Sequence, residues 1–250
     1  MSSVAVHVTL RDARPNAVFR RPLKIERRWG RFRCRAWFRD KEFTSDWSSG
    51  NFTLWRRVFW PLRSEPLRIL EIGSWEGRSA IFFLNLFDQS TITCIDTFSG
   101  GSDHSADQVA RIEERFDRNL APFGNRVEKI KGLSREALAS LSTRERRYDL
   151  AYIDGSHDHD DVMVDSLGVW SMLNPGGSII WDDYRWGRHH LPLEQRPQSA
   201  IDEFLREREG QYRVLSKGYQ MIIERLRACC LFLIADARRT PTVILPPAAA

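Results

Sequence analysis

Two stretches of this chain concentrate acid and base at spacings that could do chemistry. Tyr148-Asp149-Leu150-Ala151-Tyr152-Ile153-Asp154-Gly155-Ser156-His157 and Ser178-Ile179-Ile180-Trp181-Asp182-Asp183-Tyr184 each read as an apolar strand that ends in carboxylate. A strand buried in a parallel sheet hides a carboxylate only at its C-terminal tip, where open α/β sheets bind ligands. Asp154, Asp182 and Asp183 at two neighbouring tips would form a hard, oxygen-rich site suited to Mg2+ or a similar divalent cation. His157, three residues after Asp154, places a base beside it. Duller readings stay open. Asp154 and Asp182 would also serve as strand-end caps for nearby helix starts, and Asp183 would then point away. His157 would equally sit at the surface, and His159, His189 and His190 read as solvated. Asp158, Asp160 and Asp161 need no role beyond favouring a helix N-terminus.

The elements that must position these residues alternate along the chain. Phe52, Trp55, Val58 and Phe59 fall on one face of a helix within 51–62. Strands follow at 67–72, 91–96, 127–131, 148–154 and 178–182, with helices predicted at 76–88, 107–120, from Ser134, up to about Leu173, and at 199–209. Val109, Ile112 and Phe116 share one side of the second of these helices. Asn174-Pro175-Gly176-Gly177 reads as a helix stop and turn. Segments 212–215 and 219–223 read as a hairpin around Lys217-Gly218. Arg alternating with Phe32, Cys34, Ala36 and Phe38 has the period of an exposed strand. Repeated βα units predict a Rossmann-like, doubly wound α/β fold. Its sheet is mostly parallel and seven-stranded, with an antiparallel C-terminal strand and helices on both faces.

The turn after the first strand is Glu71-Ile72-Gly73-Ser74-Trp75-Glu76-Gly77-Arg78-Ser79. Glycine there lets the backbone turn tightly and approach a ligand, and the free N–H groups of the following helix favour an anion. The dinucleotide fingerprint needs glycine at position 75, where Trp75 stands, so NAD is disfavoured. Asp96 ends the second strand, 23 residues after Gly73, where an acid accepts the two hydroxyls of a ribose. Gly73 and Gly77 alone would also suit an ordinary tight turn.

Taken together, these motifs resemble the class I S-adenosylmethionine-dependent methyltransferases, and within them the metal-dependent small-molecule O-methyltransferases acting on antibiotic and sugar hydroxyls. The resemblance runs from about Asp46 to Leu226. It rests on the 71–79 turn, Ile95-Asp96-Thr97-Phe98, Tyr152-Ile153-Asp154-Gly155-Ser156-His157, Asn174-Pro175-Gly176-Gly177 and Asp182-Asp183-Tyr184. It implies a cofactor-binding set of Glu71, Gly73, Ser74, Gly77, Ser79, Asp96, Ser134 and Asp154. In that set Gly73 and Ser79 would hold the methionine end, Asp96 the ribose, and Ser134 would lie near the adenine. It implies Asp154, Asp182 and Asp183 as ligands of Mg2+ or another divalent cation, and His157 as general base. Similar enzymes often carry Asn or Glu among those ligands, so three aspartates give a more negative site. The implied partner is a hydroxylated small-molecule acceptor such as a sugar, polyketide or phenol, and association into a homo-oligomer fits the resemblance. Some enzymes of similar sequence are hydroxylases, but no 2-His-1-carboxylate arrangement supports iron chemistry here. The loop 184–190, rich in aromatic and basic side chains, would wall an acceptor ring, while Trp170 and Trp181 read as core. Asp46 and Trp47 would belong to a lid. His104 follows the second strand and would face the site.

Composition bounds the rest. At 250 residues, 42% hydrophobic and 28% charged, the chain has room for one α/β domain with extensions. The expected division is a basic extension over 1–45, a methyltransferase domain over 46–226 and a tail over 227–250. Residues 1–41 hold 12 Lys and Arg against 3 Asp and Glu, and the remainder holds 26 against 30. The basic surplus therefore belongs to the N-terminal segment. Cys34, Cys94, Cys229 and Cys230 lack metal-type spacing and read as reduced thiols of a cytoplasmic protein. No apolar run reaches the ~20 residues of a membrane span, so no membrane partner is expected. The basic arm keeps one alternative, a cofactor-binding module or RNA-associated methyltransferase, although no nucleic-acid motif accompanies it. That alternative predicts RNA binding that weakens steeply with salt and disappears on deleting residues 1–41. Salt-independent behaviour in a filter-binding assay eliminates it.

Overall fold

Short runs of Ile, Leu, Val and Tyr form the strands, because branched and aromatic side chains suit a sheet covered on both faces. A computed structural model describes residues 35–101 and 106–227. Its strands are β1 (Arg68–Ile72), β2 (Thr91–Asp96), β3 (Val127–Lys131), β4 (Tyr148–Ile153), β5 (Leu173–Trp181), β6 (Tyr212–Lys217) and β7 (Met221–Arg225). They form one sheet in the order β3-β2-β1-β4-β5-β7-β6. β1 to β5 pair in parallel, and β7 runs antiparallel to both β5 and β6. The expected Rossmann-like, mostly parallel sheet is therefore present. The chain leaves β1 for β2 and β3 on one side, then crosses back to β4 on the other. The tips of β1 and β4 thus flank the point where the winding reverses, which is where such sheets open a crevice.

Helices α1 (Phe52–Phe59), α2 (Arg78–Leu86) and α3 (Ile112–Leu120) cover one face, and α4 (Ser134–Thr143), α5 (His159–Met172) and α6 (Pro197–Glu207) the other. Alternation along the strands divides the core accordingly. Ile69, Tyr152, Ile180 and Ile222 pack with Trp55, Phe82 and Phe83, whereas Leu70, Ile153, Trp181 and Ile223 pack with Leu138, Val169 and Phe204. Trp170 and Trp181 are core residues, as expected.

Three elements differ from the sequence reading. The helix expected over 107–120 is divided at Arg111, whose φ is +65°. The Arg115 guanidinium takes the Ala110 carbonyl at 2.7 Å and closes the short first turn, Ala106–Val109. Asn174-Pro175-Gly176-Gly177 belongs to β5 itself, as a bulge between the Leu173–Tyr148 and Ser178–Leu150 pairs. Asn174 Nδ2 donates to Asp149 Oδ1 at 2.7 Å across it, and a side chain at Gly177 would meet two backbone oxygens. The alternating stretch expected as a strand is a helical turn at 35–37. Phe32 and Cys34 lie outside the described residues, as do His104, Cys229 and Cys230.

Two positions in and beside β1 set its tip. Gly73 has φ +82°, and a Cβ there would stand 1.8 Å from the Asp154 carbonyl oxygen. The β1 turn and the β4 tip are in backbone contact, which only glycine permits. Glu71 is fully buried beside Cys94, Ser74 and Ser79, and burial above all pushes its carboxyl up to about 7. Its folded-state value lies above its unfolded one, so its contribution favours folding below about pH 4.5 and is lost as pH rises through about 7. Gly73→Ala should lose about 3 kcal/mol of stability in urea unfolding. Glu71→Gln should gain up to about 3 kcal/mol over the parent at pH 8 and little at pH 4, read from unfolding midpoints at the two pH values.

Candidate active site

The parallel registers bring the C-terminal tips of β1, β2, β4 and β5 to one edge. Asp154 follows β4, and Asp182 and Asp183 follow β5 directly. Each of the three offers an oxygen within 4.8 Å of the others. The Tyr152 hydroxyl donates to Asp154 Oδ2 at 2.8 Å. Asp182, 8% exposed, accepts on Oδ1 from Asn51 Nδ2 at 3.2 Å and from Gln220 Nε2. Asp183 accepts from the Tyr219 hydroxyl on Oδ1 at 3.3 Å and faces His157 Nε2 with Oδ2 at 3.1 Å. Burial, then the charges of Asp182 and Asp183, raise the Asp154 carboxyl well above its usual range. Burial and the charge of Asp183 lift Asp182 to about 6. Enclosed carboxylates this close repel one another, and a cation among them would relieve that repulsion. The donor set is all oxygen, so it fits a hard divalent ion.

His157 is stacked on Trp186, with ring centroids 4.1 Å apart and planes 24° from parallel. His190 meets Trp186 edge-on, with ring centroids 5.5 Å apart. The loop after β5 and the hairpin tip are joined by a backbone bond from Arg185 N to the Tyr219 carbonyl at 3.1 Å. His159, expected in solvent, is 30% exposed and lies between Asp160 at 3.0 Å and Glu203 at 3.7 Å. Asp158 caps α5 through the Asp160 N–H, so the helix-start reading of these acids holds.

The second half of the site surrounds the β1 turn. Asp96 accepts the Trp75 N–H on Oδ2 at 2.7 Å and the Phe98 N–H on Oδ1 at 2.6 Å, which ties the β1 and β2 tips together. Ser74 and Ser79 are enclosed with Glu71 beneath the turn, and Gly77 starts α2 with φ +80°. Ser134 opens α4, and Asp165 is buried in α5. The segment before α1 is strapped over this end. Thr44 donates from N and Oγ1 to Glu76 at 2.7 and 2.9 Å, and Arg115 pairs with the same carboxylate at 3.0 Å. Arg78 bonds Asp46 at 2.7 Å and lies over the Phe38 and Phe43 rings. Trp47 leans on Trp75 at 5.3 Å. Asp46 and Trp47 thus sit against the turn, as a covering segment requires.

The structure gathers Asp154, Asp182, Asp183 and His157 into one cluster, and Gly73, Ser74, Gly77 and Asp96 into an adjoining one. Sequence reasoning missed Tyr152, Asn51, Gln220 and Tyr219. Tyr152 had a usable signal, since a residue two before Asp154 on a strand shares its face. Asn51 and Gln220 reach Asp182 across 131 and 38 residues, and nothing in local pattern announces that.

Residues 70–184 match the family model described as a methyltransferase domain. A protein of Acanthamoeba polyphaga mimivirus is 28% identical over 136 residues, 51% of this chain and 58% of that one. A methyltransferase from the mycinamycin biosynthetic pathway, solved with Mg, SAH and mycinamycin VI, superposes with TM-score 0.54 at 18% identity, over 83% of this chain and 55% of that one. An O-methyltransferase from Bacillus cereus, solved with SAH, gives TM-score 0.55 at 18% identity over 82% and 92%. At such identities the structures establish a common fold. The chain spans a little over half the length of the viral and mycinamycin-pathway proteins. Residues 70–184 thus match a methyltransferase-domain model in sequence and are carried on a Rossmann-like, mostly parallel sheet.

Proposed function

We propose that this chain is a divalent-metal-assisted O-methyltransferase that moves a methyl group from S-adenosylmethionine to a hydroxyl of a small molecule. The observation that carries this reading is three aspartates within 4.8 Å of one another, with His157 3.1 Å from one of them, beside the glycine turn of a methyltransferase domain. One solved structure of the same fold contains Mg, SAH and mycinamycin VI and another contains SAH, which supports the same cofactors and a small-molecule acceptor here.

Asp154, Asp182 and Asp183 would hold the cation. Gly73, Ser74, Gly77 and Ser79 would shape the seat of the methionine end. Asp96, which accepts the Trp75 and Phe98 N–H groups at the tip of β2, would hold the ribose hydroxyls. Glu71, enclosed under the turn, would support it from below, and Ser134 would stand toward the adenine. When bound, the cation supplies Lewis acidity toward the acceptor hydroxyl and S-adenosylmethionine supplies the electrophilic methyl group. His157 would act as the general base, with its ring set beside the acid cluster. Asp183 and the Trp186 ring keep the imidazole in that orientation. The strap from Phe38 to Ser49 would exclude water from the cofactor end, so the catalytic unit extends N-terminally at least to Phe38.

Calorimetric titration with S-adenosylmethionine, with and without Mg2+, should give micromolar binding, and absence of binding in both conditions overturns the reading. Asp154→Ala and Asp182→Ala should abolish methylation of hydroxylated acceptors while cofactor binding largely persists. Unchanged turnover in both removes the metal role. His157→Ala should lose roughly 10²- to 10⁴-fold in kcat.

A further inference from the structure

Two kinds of buried acid occur in this domain, and their partners differ. Glu76 is fully buried and its charge is met by Arg115 at 3.0 Å. Asp182 is also buried, but the amide donors that reach it are neutral. Amides satisfy the lone pairs of a carboxylate without cancelling its charge, which leaves the charge for a cation.

The orientation of one amide is enforced. Gln220 is 1% exposed, and its Oε1 accepts from Trp55 Nε1 at 2.7 Å while its Nε2 donates to Asp182 Oδ1. An indole N–H only donates, so the amide atom facing Trp55 must be the oxygen. The NH2 group is then turned to Asp182. Gln220 is at the right edge because β7 is antiparallel: Met221 pairs with Trp181, so the residue before β7 stands beside the tip of β5. Asn51, at the start of α1, donates to the same Oδ1.

We propose that Gln220, oriented by Trp55, is a positioning residue for a cation site: together with Asn51 it occupies Oδ1 of Asp182 and presents the other oxygen to the ion. This rests on the metal-assisted reading above. Trp55 acts at one remove, through the amide, and Asn51 makes the site depend on the docked N-terminal segment.

Mn2+ binding to the full chain, followed by the loss of the free-ion paramagnetic resonance signal, tests this. Thermal unfolding and S-adenosylmethionine calorimetry should be run on the same samples. Gln220→Leu should weaken Mn2+ binding about 10- to 100-fold. Asn51→Ala and Trp55→Phe should weaken it by smaller factors in the same direction, with cofactor affinity within about twofold of the parent. A purely structural role would lower the unfolding temperature and leave Mn2+ affinity alone, and that result overturns the proposal. If Gln220→Leu does not fold, unchanged Mn2+ affinity in both Asn51→Ala and Trp55→Phe overturns it equally. Failure of the parent chain to bind Mn2+ removes the metal reading itself, and the proposal with it.

Discussion

Like charge held at close range is the constraint around which this domain is arranged. Asp154, Asp182 and Asp183 repel one another, and water is too scarce there to screen them fully. Four neutral donors reach them: Tyr152 from β4, Asn51 from the start of α1, Gln220 from the entry to β7 and Tyr219 from the hairpin tip. The fold gathers these groups from both ends of the sequence. The parallel register places the acids, and the antiparallel return of β7 places Gln220 beside them.

A different device holds the end around the β1 turn. There charge is cancelled locally, by Arg115 on Glu76 and by Arg78 on Asp46, and backbone is packed directly on backbone at Gly73. The two halves meet in the segment that runs from Thr44 to Asn51. Its first residues bond to Glu76 and its last bonds to Asp182. Docking of that segment therefore contributes to both halves at once.

Much of this was legible in the sequence because the responsible interactions are local. The strand over 91–96 has the observed bounds, since its apolar run stops at Asp96, and the acids at β4 and β5 were recognisable as strand tips. The bulge in β5 was not legible. Asn-Pro-Gly-Gly suits a turn by propensity, and only pairing with β4 across Asp149 makes it a strand. Division of the helix at Arg111 goes with Arg115 reaching back to the Ala110 carbonyl, a side-chain bond that helical periodicity does not express. The neutral donors to Asp182 were invisible for the same reason. An Asn and a Gln look alike whether they face water or a carboxylate, and partners 131 and 38 residues away leave no local pattern.

The backbone bond between Arg185 and Tyr219 joins the two segments that border the acid cluster on its open side. One carries Trp186 and His190, the other the half-exposed Tyr219. A length change in either would carry the other with it, so the two behave as a single interchangeable rim on a fixed base. Variation at this rim would then proceed by paired replacement of loop and hairpin tip, with the sheet edge beneath left untouched.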